Sequence, residues 1–236
     1  MKVLIVFLCA ILSLTTVNAT LDLREYNEWN VLELVAPVIP ENPVIICGGI
    51  HRGEHVAQMY NRWPKGQLYV FEPNPDVLKA FTPLLGWFPK LKIFPYALSS
   101  VSGTFPFYLN SKKDNPFAGS LLKPLQDWLW YYGDTIHWVQ TKNLGQWAEE
   151  NQIHAIDFLW LDIGGSELEV LRSSESFIFS TTAIFLETHM SVFREGTGLY
   201  NEVKQLLEML GFEEIKHWWI QGFHGRALFI KKGLLS

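Results

Sequence analysis

Cysteine is nearly absent from this chain: among 236 residues only Cys9 and Cys47 carry a thiol. Cys9 lies in an apolar leader, so a processed chain keeps one thiol and forms no intramolecular disulfide. That excludes a small secreted scaffold built on disulfides. Clustered positive charge is missing as well. Lys and Arg number 19 against 24 Asp and Glu, a net charge of -5, and no segment concentrates the basic residues, so the electrostatic footprint of a nucleic-acid partner is lacking. No Asn-x-Ser/Thr acceptor occurs beyond Asn18-Ala19-Thr20, so N-glycosylation is not expected. Long apolar runs are also lacking. The longest, Val3 to Leu14, spans about a dozen residues where a bilayer-crossing helix needs roughly 20.

That run does fit a secretory leader. Met1-Lys2 supplies a basic start, Val3 to Leu14 an apolar core, and Thr15-Thr16-Val17-Asn18-Ala19 small residues at a cleavage position. The expectation is a signal peptide over residues 1–19, cut after Ala19, with the rest entering the secretory pathway or an extracellular or periplasmic space. The alternative is an uncleaved anchor, in which residues 3–19 are the chain's only membrane attachment. Residues 20–236 are long enough for one α/β domain with a full core and short for two. With 48% hydrophobic residues, 10 Trp and 16 Phe, a packed core rather than disorder is expected.

Two segments carry the chemistry. Leu68-Tyr69-Val70-Phe71-Glu72-Pro73-Asn74-Pro75 and Ile156-Asp157-Phe158-Leu159-Trp160-Leu161-Asp162-Ile163-Gly164-Gly165 each run apolar and stop at a carboxylate, after which apolar residues recur every three or four positions. Buried parallel strands hand over to helices in this way, and ligands bind at the carboxyl edge of such sheets. A strand-end acid there can accept hydrogen bonds from ribose hydroxyls. The implied ligand is a nucleoside-containing cofactor.

The remaining pattern alternates strand and helix. Leu21 to Val38 reads as mixed and in part helical, closed off by Pro37, Pro40 and Pro43. Val44-Ile45-Ile46-Cys47 is a first strand, with a glycine-rich turn over Gly48 to Gly53, and Glu54 to Trp63 is a helix. Asn74 caps a helix that begins at Pro75, and Leu91 to Phe94 is a third strand. Thr104 to Tyr108 is extended. From Asn110 to Gln140 periodicity fails, and a long irregular lid or binding loop rich in Trp and Tyr is expected. Gly145 to Asn151 is a short helix. In the helix Ser166 to Ser173, Glu167, Glu169 and Arg172 are expected outward, and Leu168 and Leu171 inward. Ala183 to Leu186 is a strand leading into Glu187-Thr188-His189. Leu199 to Leu210 is amphipathic and stops at Gly211, and Phe212 to Lys231 forms an antiparallel hairpin around Gly222.

The glycine turn, the acid after strand two, Ala97-Leu98-Ser99 before an extended segment, and Ile156 to Leu171 together resemble the FkbM family of S-adenosylmethionine-dependent methyltransferases. The likeness spans roughly Val44 to His189. It implies a Rossmann-like class I methyltransferase fold, with a mostly parallel seven-stranded sheet and a C-terminal antiparallel hairpin. It also implies S-adenosylmethionine as cofactor, and O-methylation of a sugar or small-metabolite hydroxyl. By this resemblance Gly49, His51 and Gly53 line the cofactor's amino-acid end, Glu72 holds the ribose hydroxyls, and Asn74 and Ala97 lie by the adenosine. Asp162 stands beside the methyl-transfer centre.

The chain departs from the family pattern at three places. Cys47 replaces an acid and His51 an amide in the first turn, and Trp160-Leu161-Asp162-Ile163-Gly164-Gly165 lacks the family's Lys and Glu. Two classes therefore stay open, an active methyltransferase and a secreted binding protein that keeps the fold. His189 is the expected general base, because imidazole titrates near neutrality and a hydroxyl acceptor must lose its proton. Asp162 is the other group expected to take or orient that proton, and a small molecule or glycan is the expected acceptor. Cys47, His51 and His55 do not have the spacing of a zinc site, and no metal is expected.

Overall fold

The computed structural model describes residues 28–110, 119–132 and 135–235; the leader and its cleavage point lie outside them. Among the described residues no helix is long and apolar enough to cross a membrane. The chain opens with α1 (Glu28–Val35) and then alternates β1 (Val44–Gly48), α2 (Glu54–Arg62), β2 (Gln67–Phe71), α3 (Pro75–Phe81) and β3 (Leu91–Phe94). Short strands β4 (Tyr96–Leu98), β5 (Gly103–Leu109) and β6 (Gly119–Ser120) follow, then α4 (Leu129–Tyr132) and β7 (Thr135–Lys142). The second half runs α5 (Leu144–Glu150), β8 (Phe158–Leu161), α6 (Glu167–Ser173), α7 (Glu175–Ile178), β9 (Ala183–His189), α8 (Tyr200–Met209), β10 (Phe212–Gln221) and β11 (His224–Lys231).

Seven strands form the main sheet in the order β10-β11-β9-β8-β1-β2-β3. β3, β2, β1, β8 and β9 are parallel, and β11 inserts antiparallel between β9 and β10. The central strands are apolar throughout because both faces are covered. Ile45, Cys47, Val70, Phe158, Trp160 and Phe185 enter the core on one face, with α1 and α2 above them. Ile46, Tyr69, Phe71, Leu159, Leu161 and Ile184 enter the other, beneath α5, α6 and α8. The period of two along each strand thus feeds two cores from one sheet.

The stretch expected to be an irregular lid holds regular structure. β4, β7, β5 and β6 form a second sheet of four strands, in which β7 pairs antiparallel with β5 from Gly103↔Thr141 to Leu109↔Thr135. The strand is hard to read because its outward positions are apolar: Ile136 and Trp138 face solvent, Trp138 being 71% exposed. Polar-out alternation is the usual sequence mark of a half-buried strand. Here it is erased. The inward side of the same sheet buries Ala97, Phe107, Leu109 and Val139.

Candidate active site

A cavity of about 300 Å³ opens at the carboxyl edge of the main sheet, roofed by the second sheet and by α4. It gathers Gly49 and His51 after β1, Glu72 after β2, Ala97 on β4, Asp162 after β8, and Glu187 and His189 on β9. These are the sequence-expected groups with two exceptions, Gly53 and Asn74. Gly53 (φ 81°) is the N-cap of α2, and a Cβ there would run into the Phe81 ring. Its glycine serves helix packing. Asn74 is buried beside the cavity, where its side chain accepts from the Asp76 N–H to cap α3 and its own N–H donates to Glu72 Oε1 at 2.8 Å.

Glu72 is 4% exposed. The Ile50 N–H donates to its Oε2 at 2.9 Å, so both carboxylate oxygens are held by backbone donors. Burial pushes this carboxyl up to about 7, against the pull of the Ile50, Asn74 and His51 N–H groups. The turn that delivers those donors needs glycine at 49. Its φ is 91°, and a Cβ would meet the Asp162 carbonyl oxygen.

Asp162 follows the last residue of β8 and accepts a 2.7 Å ion pair from Arg226 Nη2. Burial raises its carboxyl, but the Arg226 guanidinium outweighs burial and holds it below the usual carboxylate range. Arg226 went unnoticed in the sequence. The signal lies in the hairpin register: Arg226 pairs with Glu187 and His224 with His189 across β11 and β9, so these four side chains share one face.

Glu167 is also placed differently from expectation. It is 1% exposed, not outward, because the bend at Gly164 and Gly165 (φ 69° and 106°) turns the Ile163 and Gly165 N–H groups onto its carboxylate, each at 2.9 Å. Its Oε2 lies 3.7 Å from His189 Nε2, and Glu187 Oε2 lies 3.5 Å from the same nitrogen. Neither ring nitrogen of His189 has a hydrogen-bond partner among the described residues. Burial lowers the imidazole, yet Glu187 and Glu167 outweigh it and hold His189 above its ordinary value. Glu187 is pushed up to about 7 by burial and by Asp162 and Glu167. At 3.5 Å the protonation of one of these two groups depends on that of the other.

Glu167, Glu187 and His189 offer ligand atoms all within 4.8 Å of one another, close enough to share a cation. Two features weigh against a dication there. Both Glu167 oxygens already accept backbone N–H groups, and the field of the Arg194 guanidinium reaches Glu187 and Glu167.

Cys47 takes no part in the cavity wall. It is fully buried, with Sγ 3.4 Å from His55 Nε2, and burial pushes its thiol well up, so it is inert as a nucleophile. His55 stacks on Trp160 at 5.0 Å. On the far side, Tyr131, Tyr132, Phe193 and Phe223 make an aromatic wall. Trp128 packs behind Phe223 at 4.8 Å, and Trp130 stays 66% exposed. Aromatics from the expected lid thus divide between cavity wall, support and surface.

Comparison with known proteins agrees with this architecture. Over 203 residues the chain is 25% identical to the 2-O-methyltransferase NoeI of Sinorhizobium fredii, covering 83% of this chain and 82% of that protein. It is 25% identical over 190 residues to the hexuronic acid methyltransferase AglP of Haloferax volcanii, covering 80% and 73%. Among solved structures, the fibrillarin pre-rRNA processing protein of Methanococcus jannaschii matches with a TM-score of 0.50 at 13% identity, over 84% of this chain and 69% of that one. At that identity the likeness shows a shared fold. The model of the methyltransferase FkbM domain matches residues 48–214, which is most of the chain and all of the cavity except its β11 edge. The protein belongs to the FkbM methyltransferase family.

Proposed function

We propose that this protein is an S-adenosylmethionine-dependent O-methyltransferase acting on a hydroxyl of a sugar or small metabolite. One observation carries the reading. Glu72, Gly49, Asp162 and the Glu187–His189 pair stand in that order along one sheet edge, at the ends of β2, β1, β8 and β9, and line a single cavity. Relatives named as a 2-O-methyltransferase and as a hexuronic acid methyltransferase support a carbohydrate acceptor.

The residues fit the cofactor. Backbone N–H groups of Ile50, Asn74 and His51 hold the Glu72 carboxylate, and its two oxygens together have lone pairs left for a ribose diol. Ala97, Leu98 and Phe107 offer an apolar wall for a purine. Asp162, kept ionised by Arg226, holds negative charge beside the place where a cationic group must sit. When bound, S-adenosylmethionine would supply a sulfonium methyl group open to in-line attack by the acceptor oxygen, with the thioether sulfur as the leaving group.

The protein's share is positioning and one proton. The acceptor hydroxyl gives its proton to the His189–Glu187 pair as the carbon–oxygen bond forms, and the electron pair of the broken carbon–sulfur bond stays on sulfur. The imidazolium is then held between Glu187 and Glu167.

Calorimetric titration with S-adenosylmethionine and S-adenosylhomocysteine tests the reading. Micromolar binding that vanishes in Glu72→Ala supports it and justifies labelled-methyl transfer to a panel of sugars. No heat and no thermal stabilisation in a folded protein would overturn it and leave a binding protein on this fold.

A further inference from the structure

The methyl-transfer chemistry leaves a buried arginine of the cavity unused. Arg194, in the connection from β9 to α8, is 2% exposed and lines the cavity. Its backbone is fixed on several sides: it bridges Pro124, its N–H donates to Thr197 Oγ1, and its neighbours Phe193 and Glu195 bond to Leu125 and Lys123. The guanidinium lies over the Tyr132 ring at 4.0 Å and donates from Nη1 to the Leu122 carbonyl at 3.1 Å. That is its one side-chain hydrogen bond among the described residues, and Nε has none.

A guanidinium presents five N–H donors in a planar fork suited to a carboxylate. A buried one without a carboxylate in contact is costly. Arg226, the other cavity arginine, already holds Asp162. Glu187 and Glu167 act on Arg194 only through their field, and neither forms an ion pair with it. We propose that Arg194 is the anion-binding residue of the acceptor subsite, and that the acceptor is a carboxylate-bearing sugar or similar acidic small molecule. The inference rests on the methyltransferase reading.

The cofactor also carries a carboxylate, and the strand order decides between the two sources. Glu72, which takes the ribose, follows β2, whereas Arg194 follows β9, three strands away. At 4.7–4.9 Å per strand the ends of those two strands lie about 14 Å apart along the sheet edge. Arg194 lies beyond Asp162 and the Glu187–His189 pair, on the side left for the acceptor. It is flanked there by Phe193, Tyr131, Tyr132 and Phe223, whose rings suit the apolar face of a pyranose.

The experiment measures binding of matched pairs, the methyl glycosides of glucose and glucuronate and of galactose and galacturonate, to the purified protein saturated with S-adenosylhomocysteine. The charged member of a pair is expected to bind at least tenfold more tightly, and Arg194→Gln is expected to abolish the preference while leaving S-adenosylhomocysteine affinity unchanged. Arg194→Lys keeps the charge and is expected to retain part of the preference. If no pair shows a preference in the wild-type protein, the proposal falls without any variant being needed. It falls equally if Arg194→Gln weakens S-adenosylhomocysteine but not methylthioadenosine, which lacks the amino-acid end, because Arg194 would then serve the cofactor. Failure of wild-type protein to bind S-adenosylhomocysteine at all would instead overturn the methyltransferase reading beneath it.

Discussion

Replacing Glu72 by Gln separates the cost of this buried carboxylate from its use. Burial lifts the carboxyl from 4.5 to about 7 in the folded protein. A folded-state value above the unfolded one means that the group's contribution is intact below about pH 4.5 and is lost as pH rises through about 7. A tenfold change in proton affinity corresponds to about 1.4 kcal/mol, so ionising Glu72 inside the fold costs about 3 kcal/mol by pH 8. Gln resembles the protonated acid and does not ionise. The two proteins therefore have a fixed difference near pH 4.5, and Glu72→Gln gains about 3 kcal/mol relative to wild type between there and pH 8.

In a chain of this size that gain corresponds to a rise in Tm of roughly 6–12 °C, readable by parallel thermal or urea melts at several pH values. Glu187 and His189 titrate alike in both proteins and cancel. Cofactor binding should move the other way, because a ribose diol donates best to an ionised carboxylate. Affinity for S-adenosylhomocysteine in the wild type is expected to fall up to about tenfold for each pH unit below 7, and Glu72→Gln should bind at least about tenfold more weakly at pH 8. A stability difference that does not change between pH 5 and 8 would refute the reasoning, since Glu72 would then titrate as an ordinary surface acid.

Three further outcomes can be checked, two resting on the geometry and one on the sequence. His189→Gln should lower methyl transfer by about 10²–10⁴ with little change in S-adenosylhomocysteine affinity; because Glu187 and Glu167 hold His189 above its ordinary value, the wild-type rate should rise with pH through neutrality, and Glu187→Gln should move that limb to lower pH in a pH–rate profile. Gly49→Ala forces a side chain onto a φ of 91° and against the Asp162 carbonyl, so a loss of about 1–3 kcal/mol is expected in urea melts. A leader cut after Ala19 predicts a mature chain beginning at Thr20, and the intact mass of protein recovered from a secreting host checks it.

Much of this architecture is legible in the sequence because the central strands are buried on both faces, which leaves unbroken apolar runs such as Leu68 to Phe71 and Phe158 to Leu161. Where those runs stop, Glu72 and Asp162 mark the sheet edge. Legibility fails where a residue's surroundings come from distant chain. Glu167 reads as a surface acid in an amphipathic helix, and only the fold-back at Gly164-Gly165 buries it. Trp138 and Ile136 hide β7 because a solvent-facing side carries apolar groups. Arg226 and Arg194 join the site through hairpin register and through a bridge to Pro124, neither of which leaves a local pattern. Asn74 and Gly53 are ambiguous in the opposite sense, since their residue types suit both a cap and a ligand contact, and the fold uses both as caps.

The departures from the family pattern make physical sense once the neighbours are known. The Cys47 thiol lies where both Asp162 and Glu72 act on it. A carboxylate at 47 would be a third buried negative charge beside two others, one of them already pushed up to about 7, so a neutral side chain relieves like-charge repulsion at the floor of the site. Gly164 replaces a glutamate at a position with φ 69°, where a Cβ would come within 2.9 Å of the Gly119 carbonyl oxygen and 3.1 Å of Ser120. There the edge strand β6 crosses the bend, and Ser120 Oγ donates to the Gly164 carbonyl at 2.9 Å. The bend has exchanged a side chain for contact with the second sheet. Glu167, three residues further on and fixed by two backbone donors, keeps a carboxylate beside the bend. Despite the substitutions the cavity thus keeps its carboxylates, with Glu72, Asp162 and Glu187 at the ends of β2, β8 and β9.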